Sequence, residues 1–197
     1  IIKNIFAKIG EGNRTFLEIG AGDGTECNTR ALREKGWKGK AFDMAYENEH
    51  VEKSYIGIRS ANTIDELYDA AKNGKFVRDA CDIFSEAIVE YTNKYHRTID
   101  FLSIDVDGND YHILSRILTT KLAPRVICIE YNKHFGDKNI VMGYDEDYVY
   151  DGINYTYGAS KEALKKLTAH YGYEFWGTDV NEVNCFFVLK SELEKNE

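Results

Sequence analysis

Proline is almost absent from this chain: Pro124 is the one example in 197 residues. Regular elements must therefore end on glycine and polar turns, and 16 glycines are present to end them. No run reaches the roughly 18 apolar residues of a membrane-spanning helix. No block of lysine and arginine occurs, and the formal net charge is −8. Tight non-specific binding to nucleic acid needs many cation–phosphate contacts, so neither nucleic acid nor an anionic membrane surface is an expected partner. An acidic domain suits a cationic small ligand instead. The four cysteines, Cys27, Cys81, Cys128 and Cys185, include no C-x-x-C pair. They read as buried, reduced thiols of a cytoplasmic protein, with no zinc site. G-x-x-x-x-G-K-[ST] is missing, which removes the P-loop NTPases, and G-x-S-x-G is missing, which removes the nucleophile-elbow hydrolases. The stretch opens on Ile1 rather than Met, so earlier residues are expected to precede it, and no signal-peptide pattern opens it.

What is present centres on Thr15 to Thr25, TFLEIGAGDGT. A short apolar run breaks into Gly20, Gly22 and Gly24, and an amphipathic segment follows. This reads as strand, glycine turn, helix. Glycines permit positive φ and let a ligand approach bare backbone, and the helix start offers free N–H groups. Such a turn usually holds a nucleotide-like ligand. Asp43 ends the next strand about 20 residues on, where a βαβ unit places an acid against ribose hydroxyls.

The rest of the chain alternates. Ile1 to Gly10 has apolar residues at helical spacing and reads as a helix packed on the sheet. Helices are expected at Thr25 to Lys35, around Ile64 to Leu67, and at Ile83 to Tyr95, the last with Ile83, Ala87, Ile88, Tyr91 and Tyr95 on one side. Glu47 to Lys53 reads as a further helical turn. Tyr55 to Arg59 alternates, and Phe76 to Ala80 is a short strand. Asp100 to Val106 is apolar on both faces, as is Arg125 to Tyr131, which marks central parallel strands. Tyr111 to Leu118 is a helix between them. Asn132 to Tyr157 is a long irregular stretch rich in Tyr, Asp and Gly, of the kind that is functional or mobile. Ser160 caps a helix to Tyr171, and Tyr173 to Trp176 and Asn184 to Leu189 close the chain as a hairpin. The fold class is α/β: a Rossmann-like, mostly parallel sheet with one reversed strand and helices on both faces. Residues 1–197 form a single domain, with loop 132–159 as a substrate lid.

The turn Gly20-Ala21-Gly22-Asp23-Gly24 is G-x-G-x-G, not the nicotinamide form G-x-G-x-x-G. Led by Glu18, it resembles motif I of the class I S-adenosylmethionine (SAM) methyltransferases. The segment Ile104-Asp105-Val106-Asp107-Gly108-Asn109-Asp110 is similar to the I-D-V-[ED]-G-x-[ED] signature of the FkbM-type methyltransferases, and Arg125 to Asn132 is similar to their following strand. The resemblance spans roughly Phe16 to Leu189. It departs at Asp107, which replaces the usual glutamate, and in the Tyr/Asp-rich loop.

The resemblance implies SAM as cofactor and S-adenosylhomocysteine (SAH) as product. Glu18, Gly20, Ala21, Gly22, Asp23 and Thr25 would form the cofactor turn, and Asp43 would hold the ribose. Asp79 and Ala80 would flank the adenine, and Asp105 would lie near the methionine portion. It also implies O-methyl transfer to a small hydroxylated acceptor, such as a sugar or a surface-polysaccharide (capsule) precursor. Transfer from an activated sulfonium asks mainly for positioning, and a hydroxyl acceptor asks for a base. Asp105, Asp107, Glu130 and His134 are the candidate catalytic residues. Asp107 and Asp110 serve equally well as caps of the next helix, and a lone loop histidine is as easily incidental. Tyr131, Asn132, Tyr150 and Tyr157 are the candidate acceptor contacts. No metal site is assigned, although Asp105 with Glu130 and Asn132 leaves Mg²⁺ as a lesser alternative. With one proline there is no N-P-P-Y motif of the amino-directed nucleic-acid methyltransferases. A nicotinamide-dependent oxidoreductase and a non-catalytic SAM-binding module remain the rival readings. The spacing says nothing of oligomeric state.

Overall fold

The strand Thr15–Ile19 (β1) has no exposed position, so both of its faces are covered. In a computed structural model of the chain, which describes residues 1–59, 64–95, 99–120 and 122–195, β1 pairs on both edges. Lys38–Asp43 (β2) and Phe101–Ile104 (β6) flank it in parallel register, Glu18 lying opposite Ala41 on one side and Ser103 on the other. Val126–Glu130 (β7) continues the parallel set beyond β6. Asn184–Leu189 (β9) then runs antiparallel between β7 and Tyr173–Thr178 (β8). With the two-residue Glu52–Lys53 (β3) at the other edge, the sheet order is β3-β2-β1-β6-β7-β9-β8. The expected α/β sheet with one reversed strand is the observed one.

Side chains alternate across a strand, and here both sets are apolar. Leu17, Ile19, Leu102, Ile104, Ile127 and Ile129 point to one face. There they meet Ala80–Tyr95 (α4), Asp110–Leu118 (α5) and Lys161–His170 (α6). Phe16, Phe101, Val126, Cys128, Phe186 and Val188 point to the other, under Ile2–Ile9 (α1) and Trp37. Burying both faces is what a parallel sheet requires. Ser160 caps α6, its Oγ accepting from the Ala163 N–H at 3.1 Å. Cys128 and Cys185 are buried in the sheet, whereas Cys27 and Cys81 are only partly buried, contrary to the expectation for all four.

The amino-terminal ends of the strands are locked by one ion network. Asp100, fully buried, accepts from the Thr15 N–H and hydroxyl, both at 2.9 Å. Arg125 reaches Asp100 at 3.0 Å and Glu192 at 2.7 Å, and it donates to the Ile9 and Gly10 carbonyls. Glu192 lies on Lys190–Glu194 (α7), a closing helix that periodicity did not reveal.

Three expectations need correction. The first helix behind the glycine turn (α2) spans Arg30–Glu34 rather than starting at Thr25, because the N–H groups of Asn28 and Thr29 are drawn to Glu18. Glu47 to Lys53 forms no helix and ends in β3. Val77–Asp79 (β5) pairs with Tyr55–Gly57 (β4) in a separate two-stranded sheet, outside the main one. Helix α3 spans Ile64–Lys72. Residues 60–63, just before the expected helix, and the side chains of Ile64, Leu67, Tyr91 and Tyr95 lie outside the described residues. Among the described residues no helix is long and apolar enough to cross a membrane.

Candidate active site

The turns after β1, β2, β6 and β7 meet at the carboxyl edge of the sheet, the edge at which ligands of open α/β sheets bind. Gly20, at φ +83°, packs so tightly on the β6 exit that a Cβ there would lie 1.6 Å from the Asp105 carbonyl oxygen. Glycine is required at that point by sterics alone. The Gly20 and Ala21 N–H groups both donate to the Phe42 carbonyl, at 2.9 and 3.0 Å, which ties the turn to β2. Gly22, at φ +56°, has open space where a side chain would stand.

Asp43 is fixed beside this turn. Its Oδ2 accepts from the Gly22 N–H at 2.8 Å, and its Oδ1 accepts from the Ala45 N–H at 2.8 Å. A carboxylate has about four lone-pair sites, so the fixed group retains acceptor capacity for a ligand. Asp43, Gly20, Asp105, Asp107 and Tyr148 line one cavity that opens to solvent.

The remaining cofactor candidates divide. Glu18 is fully buried and is spent on the chain itself, accepting from Asn28 N–H at 2.9 Å, from Thr29 N–H at 3.2 Å, and from the Thr29 hydroxyl. Burial pushes its pKa up, and the bonds from Thr29 oppose that shift. Asp23 is exposed and turns back on Thr25 N–H and hydroxyl. Asp79, at the end of β5, accepts from Cys81 N–H at 2.8 Å and Arg59 N–H at 3.3 Å. Ala80 is fully buried at the head of α4.

Beyond β6 the chain turns through Asp107, whose φ of +59° is unusual for a residue with a side chain. Asp110 holds this turn: its two carboxylate oxygens accept from the Val106 and Gly108 N–H groups, each at 2.9 Å. One oxygen from each of Asp105, Asp110 and Glu130 lies within 4.8 Å of the others. Burial, then the charges of Asp110, Asp105 and Asp107, pushes Glu130 up to about 10. Burial, then Asp110 and Asp107, pushes Asp105 up to about 8. Asp110 rises to about 6, burial again leading and its two backbone bonds opposing. Asp107 is the exposed member and is raised by partial burial and by Asp43. Carboxylates this close cannot all be ionised cheaply without a cation between them. A divalent ion is one such cation, and its oxygen ligands would come from this trio.

The long irregular stretch folds over the same edge. It closes at its base, where Val141 bridges Ala159 and Met142 N–H donates to the Gly158 carbonyl. Asn109 and Asp145 exchange two hydrogen bonds, at 2.7 and 3.1 Å. The Tyr144 hydroxyl accepts from Ile58 N–H at 3.1 Å, the Tyr55 hydroxyl donates to the Glu146 carbonyl at 2.5 Å, and Lys75 pairs with Asp147. Tyr148 covers Gly108, where a Cβ would meet its ring at 2.7 Å.

Tyr157 stacks on Tyr148, and Tyr150 lies tilted against Tyr157. The Tyr157 hydroxyl is raised by burial and then by the negative charge of Glu130, which puts both near one space. Tyr131 turns elsewhere: it is buried in the core, and Cys185, Glu182 and Asp179 are its ionisable neighbours. Asn132 is also buried. Its amide donates to the Tyr155 and Tyr157 carbonyls and its oxygen accepts from His134 N–H, so it scaffolds the loop. His134 is exposed and stacks on Tyr155 with ring centroids 4.1 Å apart.

Two site residues escaped the sequence reading. Tyr148 lines the cavity, but nothing local separates it from the loop's other tyrosines. Asp110 was visible only as a helix cap, and its place beside Glu130 depends on the pairing of β6 with β7.

Comparison with known proteins follows the geometry. A family model described as the methyltransferase FkbM domain matches residues 13–175. No curated protein matches the chain. Among solved structures, a SAM-dependent methyltransferase from Aquifex aeolicus is 14% identical with a TM-score of 0.38, over 95% of this chain and 88% of that one. The methyltransferase domain of bacterial CtHen1-C is 12% identical with a TM-score of 0.43, over 95% and 96%. The SAH-bound Podospora anserina methyltransferase PaMTH1 is 14% identical with a TM-score of 0.43, over 94% and 76%. These likenesses are distant, and the family match carries the assignment.

Proposed function

The chain belongs to the FkbM methyltransferase family and is a SAM-dependent methyltransferase; from that premise we propose that it methylates a hydroxyl of a small polyol, a sugar or surface-polysaccharide (capsule) precursor. The observation that supports this reading is the adjacency of the glycine-turn cavity to a group of high-pKa carboxylates and a wall of tyrosines. Bound SAM supplies an electrophilic methyl on a cationic sulfur. The residues of the chain do the rest. Gly22 leaves the backbone bare for the donor, and Asp43 stands as a fixed acceptor for ribose hydroxyls. The Tyr148, Tyr150 and Tyr157 rings would bracket the acceptor. Once ionised, a carboxylate whose pKa is raised toward 8 is a stronger base than an ordinary one, so Asp105 suits removal of a hydroxyl proton as the new C–O bond forms. Alignment of the two reactants supplies most of the rate.

Calorimetric titration with SAH is the test. We expect micromolar binding by the native chain and its loss in Gly20→Ala and Asp43→Asn. Retained affinity in both variants overturns the assignment of the donor turn. Binding of NAD⁺ in place of SAH overturns the reading as a whole. With binding established, release of SAH during incubation with sugars and capsule precursors identifies the acceptor.

A further inference from the structure

The acceptor side of the site gathers more carboxyl groups than methyl transfer to a neutral polyol explains. Asp105, Asp107, Asp110 and Glu130 gather there, and among the described residues none of them has an ion-pair partner. Basic side chains of the surrounding elements are engaged elsewhere: Arg59 with Asp82, Arg78 with Glu52 and Glu86, and Lys75 with Asp147. The charged groups that act on Glu130 are all carboxylates. Tyr148 lines the cavity with Asp105 and Asp107 and its ring covers Gly108, and Tyr157 stacks on Tyr148, so rings and carboxyl groups share one chamber. The Tyr157 ring stands 6.3 Å from Tyr148 at an interplanar angle of 29°, and 5.1 Å from Tyr150.

This chamber discriminates by charge. A phosphate or carboxylate on the acceptor would face like charges across a space partly shielded from water. A neutral polyol would leave Asp105 and Glu130 protonated, as burial and their neighbours hold them in the empty site. A cationic nitrogen would compensate the charge that appears as these groups ionise, and the faces of tyrosine rings attract cations. We propose that the acceptor is an ammonium-bearing polyol, an amino sugar or amino alcohol, whose cationic nitrogen is received by Glu130 and Asp107 against the faces of Tyr148, Tyr150 and Tyr157. This rests on the methyl-transfer reading above and narrows it. The ammonium anchors and does not react, since a protonated nitrogen has no lone pair with which to attack. A hydroxyl oxygen of the same molecule forms the bond to the methyl carbon as the carbon–sulfur bond breaks. Its proton passes to Asp105, which the neighbouring ammonium holds ionised, and SAH is left.

The experiment is calorimetry on the full chain saturated with SAH, with three classes of probe. Glucosamine and serinol are the amines, glucose and glycerol their neutral counterparts, and glucose phosphate and glycerol phosphate the anions. Amine binding is expected to exceed neutral binding by about tenfold, with the anions weakest. Glu130→Gln is expected to remove that preference while leaving the affinity for SAH intact. Asp107→Asn is the second variant, because asparagine tolerates the left-handed backbone that Asp107 adopts. Neutral or anionic probes binding as well as the amines would overturn the proposal. So would failure of both amines to bind, or a preference that survives both variants. Binding of Mg²⁺ to the SAH complex, lost in Glu130→Gln and with no amine binding, would assign the charge to a metal and overturn it too. Failure of SAH itself to bind would instead strike the methyl-transfer reading before the acceptor question arises.

Discussion

Asp110 does more for the site than a helix cap. Its two oxygens accept from the Val106 and Gly108 N–H groups in the turn between Asp105 and the start of α5, and they thereby set where Asp105 and Asp107 stand. Asparagine at this position keeps one accepting oxygen and turns an amide toward the other N–H. An unmatched buried donor costs about 1–3 kcal/mol, so Asp110→Asn should lower unfolding stability by that amount, measured in denaturant. The same substitution removes a negative charge beside Glu130 and should lower the Glu130 pKa, measured by NMR titration of its carboxyl carbon. If the pKa does not move, the two side chains are not coupled as the geometry requires. Asp107 offers a second check. A β-branched side chain at φ +59° is strained by about 1–2 kcal/mol, so Asp107→Val should destabilise the protein where Asp107→Asn does not. At this scale the glycine turn, Asp43, Asp105 and Glu130 were legible, because each sits at a strand end that periodicity locates. Glu18 was legible as a motif residue, but its bonds to Asn28 and Thr29 were not, since they depend on how the chain folds back behind the turn.

Among the elements, the strands and helices of the main sheet could be read from apolar spacing, and β1, β2, β6, β7 and β9 stand where it put them. The pairing of β4 with β5 could not. It joins residues about two dozen apart in three-residue strands, and nothing in either segment names the other. Helix α7 is likewise too short to show a period. It is held through Glu192 by Arg125, which also joins β7 to Asp100 and the end of α1. Breaking a buried, hydrogen-bonded ion network costs about 3–5 kcal/mol. Arg125→Ala should therefore destabilise the fold by roughly 3 kcal/mol, read by denaturant unfolding. SAH affinity should hold, because the network lies at the opposite edge of the sheet from the glycine turn. A variant that lost donor binding while keeping its stability would contradict this separation.

For the whole molecule, the acidic site ties stability to pH. Asp105 and Glu130 hold their protons in the folded protein up to about 8 and about 10, while in the unfolded chain carboxyls titrate near 4. Between those limits the folded state binds more protons than the unfolded one, so stability falls as pH rises. The ligand-free protein should melt at progressively lower temperature from about pH 5 to about pH 9, and Glu130→Gln should flatten the slope. A stability that rises over this interval would show that the carboxylates are ionised in the fold. The strap formed by residues 141–159 has a kinetic consequence. Tyr148 belongs both to the wall of the glycine-turn cavity and to the cover over Gly108, and the strap is tied down by Tyr55, Tyr144 and Asn109. An acceptor lodged among its tyrosines would block the way out for the donor. Turnover should therefore follow a compulsory order, SAM binding first and SAH leaving last. SAH should then compete with SAM and not with the acceptor in initial-velocity measurements.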